Sequence, residues 1–136
     1  MARKRSPRTA SAACPCGAAA YARCCAPLHD GKPAADPETL MRSRFSAYAL
    51  GRTDHVHRTW HPETRPPHEA DVADDPGLRW VRLEVLETAG GSVFDAEGSV
   101  RFRAHYREGG KPGVMEELSR FVRHEGQWVY WGPLPL

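Results

Sequence analysis

The chain has 136 residues, 40% of them apolar and 26% charged, with a formal net charge of +2 at pH 7. That length suits one ordinary domain with at most a small appendage, and the composition excludes a disordered or fibrous protein. No run approaches the roughly 18 apolar residues of a membrane-spanning helix. The N-terminus MARKRSPRTASAA is basic but no apolar stretch follows it, so a secretory signal is not expected and the cytoplasm is the expected location. The small residues Ala10, Ala12 and Ala13 among arginines leave an organelle transit peptide as the alternative.

Charge is unevenly spread. Up to residue 35, Arg3, Lys4, Arg5, Arg8, Arg23 and Lys32 face only Asp30, whereas the rest of the chain has an acidic excess. Residues 1–13 are therefore read as a basic disordered tail. It either seeks an anionic partner or simply keeps the chain solvated.

All four cysteines fall in the window CPCGAAAYARCC, residues 14–25. A disulfide pair disagrees with a reducing compartment, and the adjacent Cys24 and Cys25 would bridge each other only with strain. A redox thiol would want C-x-x-C beside a βαβ unit, and neither is present. A metal site fits, because zinc takes four soft ligands tetrahedrally from two close chain segments. Cys14, Cys16, Cys24 and Cys25 are the expected ligands of a knuckle over residues 14–30. Pro15 stiffens the first pair, Gly17 permits the turn behind it and Tyr21 covers one side. Four thiolates leave a Zn²⁺ site at −2, which Arg23 and the tail could offset from the second shell. Iron is the alternative metal for such a set. Four thiolates with no open position point to structure rather than catalysis. His29, in HDGKP, is the one spare nitrogen ligand, and a solvated turn is its other reading.

GKPAADP reads as a linker. Asp36 suits an N-cap, Pro37 the first helical position and Glu38 the positive helix end. Leu40, Met41, Arg44, Phe45, Ala47 and Tyr48 share a helix face, and Gly51 ends the helix. Asp54 is expected to cap a short second helix through Thr59, before Pro62 stops regular structure. From residue 78 the period changes to two. LRWVRLEVLET sets Trp80, Arg82, Glu84 and Leu86 against Val81, Leu83 and Val85. Val100, Phe102, Ala104 and Tyr106 oppose Arg101, Arg103 and His105. VMEELSRFVRH and QWVYWG follow, joined by Glu125–Gly126. Helices first and a strand meander later give an α+β fold with an antiparallel sheet.

Two further features bear on function. Arg44, Tyr48, Trp60, His61, Glu117 and Ser119 are candidate walls of a pocket for a small anionic or planar ligand. Their bland reading is a structural network in which Glu117 pairs with a buried Arg44. No nucleophile with a paired base is visible, so no catalytic residue is assigned. The Arg101, Arg103, His105 stripe could meet nucleic acid, but lacks the exposed aromatics such readers use. A solvated strand face is its other reading.

CPCG…Y…CC resembles the SEC-C motif, the zinc knuckle at the C-terminus of the SecA translocation ATPase. LMRSRFSAYALG, TWHPETRP and Glu117, Ser119, Phe121 resemble the bacterial YchJ family. The resemblance implies a SEC-C knuckle followed, over residues 36–136, by a SnoaL-like (nuclear-transport-factor-two-like) cone-shaped roll. Its antiparallel sheet would curl around the N-terminal helices. It also implies an accessory role, in which the knuckle docks on a protein partner, either SecB-like or the ribosome. Two alternatives stand beside it. The roll could serve as a small-molecule binder or enzyme, or the basic head could bind nucleic acid. One departure is visible: the loop between Cys16 and Cys24 is one residue shorter than the motif's, and Ala18 replaces a small hydroxyl.

Overall fold

The computed structural model describes residues 12–136. The cysteine segment forms a hairpin-like knuckle, closed by a bridge between Ala13 and Ala20. A 3-10 turn over Tyr21–Arg23 and the short helix α1, Ala26–His29, complete it. Helix α2 spans Pro37–Leu50 and α3 spans Thr53–Arg58. Four strands follow: β1 Leu78–Gly90, β2 Glu97–Glu108, β3 Lys111–His124 and β4 Gln127–Leu134. They pair as an antiparallel meander in the order β1-β2-β3-β4. This is the expected α+β architecture.

Helix α2 begins and ends on chemistry legible in the sequence. The Asp36 carboxylate accepts the Thr39 N–H at 2.8 Å, and Pro37 opens the first turn. Gly51 closes the helix at φ 73°, a left-handed conformation that costs glycine little. Asp36→Ala should cost about 1 kcal/mol, read as a lower urea midpoint with an unchanged denaturant slope. An unchanged midpoint would show that the cap contributes nothing. Pro37 also seats the helix on the sheet. A Cβ added at Gly91 would lie 2.7 Å from the Pro37 Cδ, so the β1–β2 turn passes that close only because residue 91 has no side chain.

The inner face of α2 packs on the sheet through Leu40, Met41 and Phe45, against Val100, Phe102 and Phe121, all buried. The core does not stop at the roll: Cys14, Cys16 and Cys25 belong to the same buried cluster. Arg42 on α2 donates to the Cys16 carbonyl at 3.0 Å. Knuckle and roll therefore share one interior.

Two local expectations are corrected. Arg52, not Asp54, stands at the N-cap of α3. Asp54 lies in the first turn, where its carboxylate receives Arg52 and Arg58. In β1, register shifts after Trp80 and after Val85 break the period of two. A bulge at Val81 lets Trp80 join Leu83 and Val85 on the core side and leaves Val81 exposed. After α3 the chain runs along β4. Tyr130 N–H donates to the Thr59 carbonyl, and His61 N–H donates to the Tyr130 carbonyl, each at 2.8 Å.

Candidate metal centre and the cavity of the roll

The sequence brings the four cysteines together through two tight turns. Gly17 takes φ 86°, and its N–H closes a turn on the Cys14 carbonyl at 2.9 Å. The second pair sits at the junction of the 3-10 turn and α1. All four Sγ atoms lie within 4.8 Å of one another. Cys16 and Cys24 are 3.4 Å apart, and Cys24 and Cys25 3.9 Å, so no disulfide is formed. Four sulfurs bonded to one zinc at about 2.3 Å would stand about 3.8 Å apart, so the cluster has the right size for one ion. The chemistry of the donors agrees. Hydrogen bonding from Cys25, and then from its other neighbours, pulls the Cys16 thiol down to about 5. Burial pushes Cys24 up to about 12, and the bond to Cys16 with burial pushes Cys25 up as well. The sulfurs thus share hydrogen bonds in which one accepts and its neighbours donate, and a bound cation would let all of them release their protons. The cluster suggests a metal-binding site.

The surroundings differ from expectation in two places. Arg23 is exposed, and the guanidiniums that do bond the knuckle belong to Arg42, on the Cys16 carbonyl, and to Arg52 and Arg58, on the His29 and Leu28 carbonyls. His29 is not in a solvated turn. It is buried, with its Nε2–H donating to the Ser43 carbonyl at 2.9 Å and its Nδ1 accepting the Tyr21 hydroxyl at 2.6 Å. Both ring nitrogens are occupied, so His29 clamps the knuckle to α2 instead of joining the sulfurs. The other arginines of the basic head, Arg3, Arg5 and Arg8 with Lys4, lie outside the described residues.

Between α2 and the sheet lies a cavity of about 260 Å³. Arg44, Tyr48, Trp60, Glu117 and Ser119 line it as the sequence suggests; His61 does not. The His61 ring instead packs on His124 and Trp131, and its Nδ1 accepts the Glu63 N–H. The expected Arg44–Glu117 charge pair is also not formed. Arg44 Nη1 donates to the Val56 carbonyl and the Thr59 hydroxyl, each at 2.8 Å. Its guanidinium lies over the rings of Tyr130, at 4.5 Å, and Trp60, at 5.2 Å. Glu117 Oε2 accepts the hydroxyls of Ser119 and Tyr130, each at 2.6 Å. The outer stripe is neutralised: Arg101 and Arg103 donate to Glu116, and His105 pairs with Glu84.

A family model described as the YchJ middle NTF2-like domain matches residues 36–133. The chain belongs to this family. It is 46% identical to a UPF0225 protein of Chromobacterium violaceum, over 93% of this chain and 95% of that one. It is 49% identical to a UPF0225 protein of Streptomyces coelicolor, over 86% of this chain and 90% of that one. Among solved structures, a SEC-C motif-containing protein from Rhodopseudomonas palustris superposes with a TM-score of 0.75 at 31% identity, covering 91% of this chain and 98% of that one. A second SEC-C motif-containing protein, from Psychrobacter arcticus, has a TM-score of 0.70 at 24% identity, over 93% and 83% of the two chains, and shares the fold.

Within this YchJ-type fold, several neighbours of both sites escape a reading by periodicity. Asp74 reaches the cavity rim from a loop and accepts the Trp80 indole N–H at 2.7 Å. Tyr130 and Trp80 read as core aromatics, yet both also face the cavity. Ser43 and Ser46 on α2 read as polar helix residues, yet both are fully buried beside His29. A hydroxyl on the apolar side of a helix is the one sequence signal that could have marked them.

Proposed function

We propose that Cys14, Cys16, Cys24 and Cys25 hold one zinc ion in a closed structural site, and that the knuckle serves as a docking surface for a protein partner. The observation carrying the reading is the convergence of four sulfurs, three of them buried, at separations that suit a single tetrahedral ion. Four thiolate donors leave no position for a substrate or water, so the ion's work is to fix shape. Iron fits the same donors and is the competing metal. Native mass spectrometry of protein purified without added metal should show one zinc per chain. One iron instead would change the metal, and no metal in fully reduced protein would end the reading.

The partner follows from surface and kinship. Ala18, Ala19 and Ala22 are exposed on the outside of the knuckle beside Arg23, a small-residue surface that another backbone can approach closely. The related solved structures are of SEC-C motif-containing proteins. The motif's resemblance to the SecA knuckle points to a SecB-like chaperone or the ribosome. The double substitution Ala18→Glu with Ala22→Glu spares all four ligands. It should cut recovery of purified SecB or ribosomes about tenfold, equivalent to about 1.4 kcal/mol, while the metal content stays at one. Recovery equal to that of the parent protein would remove the docking surface from the proposal.

A further inference from the structure

The cavity of the roll presents chemistry that the fold itself does not use. Arg44 is only 4% exposed. No carboxylate lies within 4.0 Å of it among the described residues; its nearest acid, Glu117, acts on it only at a distance. A buried cation normally acquires an anionic partner, because desolvation is otherwise uncompensated. Arg44 commits one nitrogen, Nη1, to two oxygens of the protein. Its Nε and Nη2 bond to no described residue, and neither is among the atoms sealed from solvent without a partner. They are therefore not sealed from solvent, and Arg44 lines the cavity.

The opposite pole is an acceptor. Glu117 Oε2 takes both protein hydroxyls, which leaves Oε1 with no donor among the described residues. Tyr130 links the poles, since its ring lies against the guanidinium and its hydroxyl bonds Glu117. Donor and acceptor thus meet the ring and the hydroxyl of one Tyr130 side chain. The walls between them are apolar and largely aromatic: Phe45, Trp80, Phe102, Ala104 and Met41. A volume of about 260 Å³ lies just below the usual range of ligand sites, which starts at about 300 Å³, and so suits only a small ligand.

We infer that this cavity is a binding site for a small planar carboxylate, one that places its carboxylate on Arg44 and an amino or hydroxyl group on Glu117. The fork of Arg44 suits a carboxylate through two nitrogens at once. The free Glu117 oxygen rejects a second anion at the far end and accepts a donor there. The flat apolar body replaces water against the aromatic walls. Asp74, at the rim, is already bonded to the Trp80 indole and helps hold that wall in place.

The test uses the full chain and para-aminobenzoate as the probe, with para-aminobenzamide and benzylamine as controls, followed by titration calorimetry or saturation-transfer NMR. Para-aminobenzoate should saturate one site with a Kd of about 1 mM, reasonable for a ligand of about ten heavy atoms. The amide, which lacks the charge, and benzylamine, which reverses it, should each bind at least about tenfold more weakly. Arg44→Gln should abolish saturation. Because Arg44 also ties α2 to α3 and its C-cap Thr59, loss of the fold in that variant is a separate outcome. Met115→Trp supplies the second arm, since Met115 lines the cavity at an exposed position and a larger ring there narrows the entrance without touching Arg44. It should melt normally and bind the probe at least about tenfold more weakly. Three results would each overturn the inference: no saturation by para-aminobenzoate up to about 10 mM, equal or tighter binding of either control, or unchanged binding by Met115→Trp.

Discussion

Cys16→Ser is expected to lower the melting temperature of the whole chain by about 10 °C or more, and to do so in one transition. The size follows from how the knuckle is built. Cys14, Cys16 and Cys25 share a buried cluster with Leu40, Met41 and Phe45 of α2. The Cys16 carbonyl takes a bond from Arg42, and His29 bonds the Ser43 carbonyl. With the proposed ion bound, losing one ligand would remove binding that is coupled to folding, and in small zinc domains that coupling amounts to about 10 kcal/mol or more. Even about 3 kcal/mol of it, spread over a chain of this size, moves the midpoint by about 10 °C. Calorimetry of the reduced protein, with and without a strong chelator, checks this, since chelation should reproduce the Cys16→Ser shift. A first small transition for the knuckle followed by an unshifted melt of the roll would show that the two parts fold independently.

Acid should destabilise the protein well above the usual carboxylate range, and two buried histidines give the reason. Arginine can only donate, so the 2.9 Å contact from Arg58 Nη2 makes His55 Nδ1 an acceptor. The proton of His55 then sits on Nε2 and is donated to Ser43 Oγ at 2.8 Å, and Ser43 passes its own to the Leu40 carbonyl. His29 is committed in the same way, to Ser43 and Tyr21. The two rings lie 4.8 Å apart. A second proton on His55 would set donor against donor at Arg58 inside the core, and one on His29 would force the Tyr21 hydroxyl to turn from donor to acceptor. Burial, and then the charges of His29, Arg58 and Arg44, hold His55 down to about 3, and burial lowers His29 as well.

The sign follows from linkage. The unfolded chain takes up the His55 proton near pH 6.5 and the folded chain does not until near pH 3, and the lowered His29 acts in the same direction. The unfolded state therefore binds more protons throughout that window, and stability falls as pH falls through it. Above about pH 6.5 the contribution is complete. Below it, His55 alone removes up to about 1.4 kcal/mol per pH unit. Urea midpoints at pH 7.5 and 5.5 should show the drop, and His55→Gln should flatten it by about one proton's worth. The same slope in both proteins would assign the acid sensitivity elsewhere.

The backbone plan was legible from residue 36 onward. Asp36, Pro37 and Gly51 bracket α2 by local chemistry that needs no tertiary partner, and Glu125–Gly126 turns β3 into β4 through two positive φ angles. The four sulfur positions were legible too, because two ligand pairs twelve residues apart or less need only short turns to meet. Local rules failed where one element had to answer to another. A bulge at Val81 turned Trp80 inward, which no period of two can announce. His29 read as a turn residue by its neighbours in sequence, but it is buried against Ser43, fourteen residues on. Arg44 and Glu117 looked like natural partners on facing elements. Val56, Thr59, Ser119 and Tyr130 reached them first.

Sequence alone therefore determined the main elements, their order and the clustering of the four cysteines, all fixed by short-range geometry. Tertiary structure decided that the knuckle shares the core of the roll, and that Arg44 lines a cavity without pairing with Glu117. Both depend on which distant groups satisfy a buried polar atom, and that competition is settled only once the chain is packed.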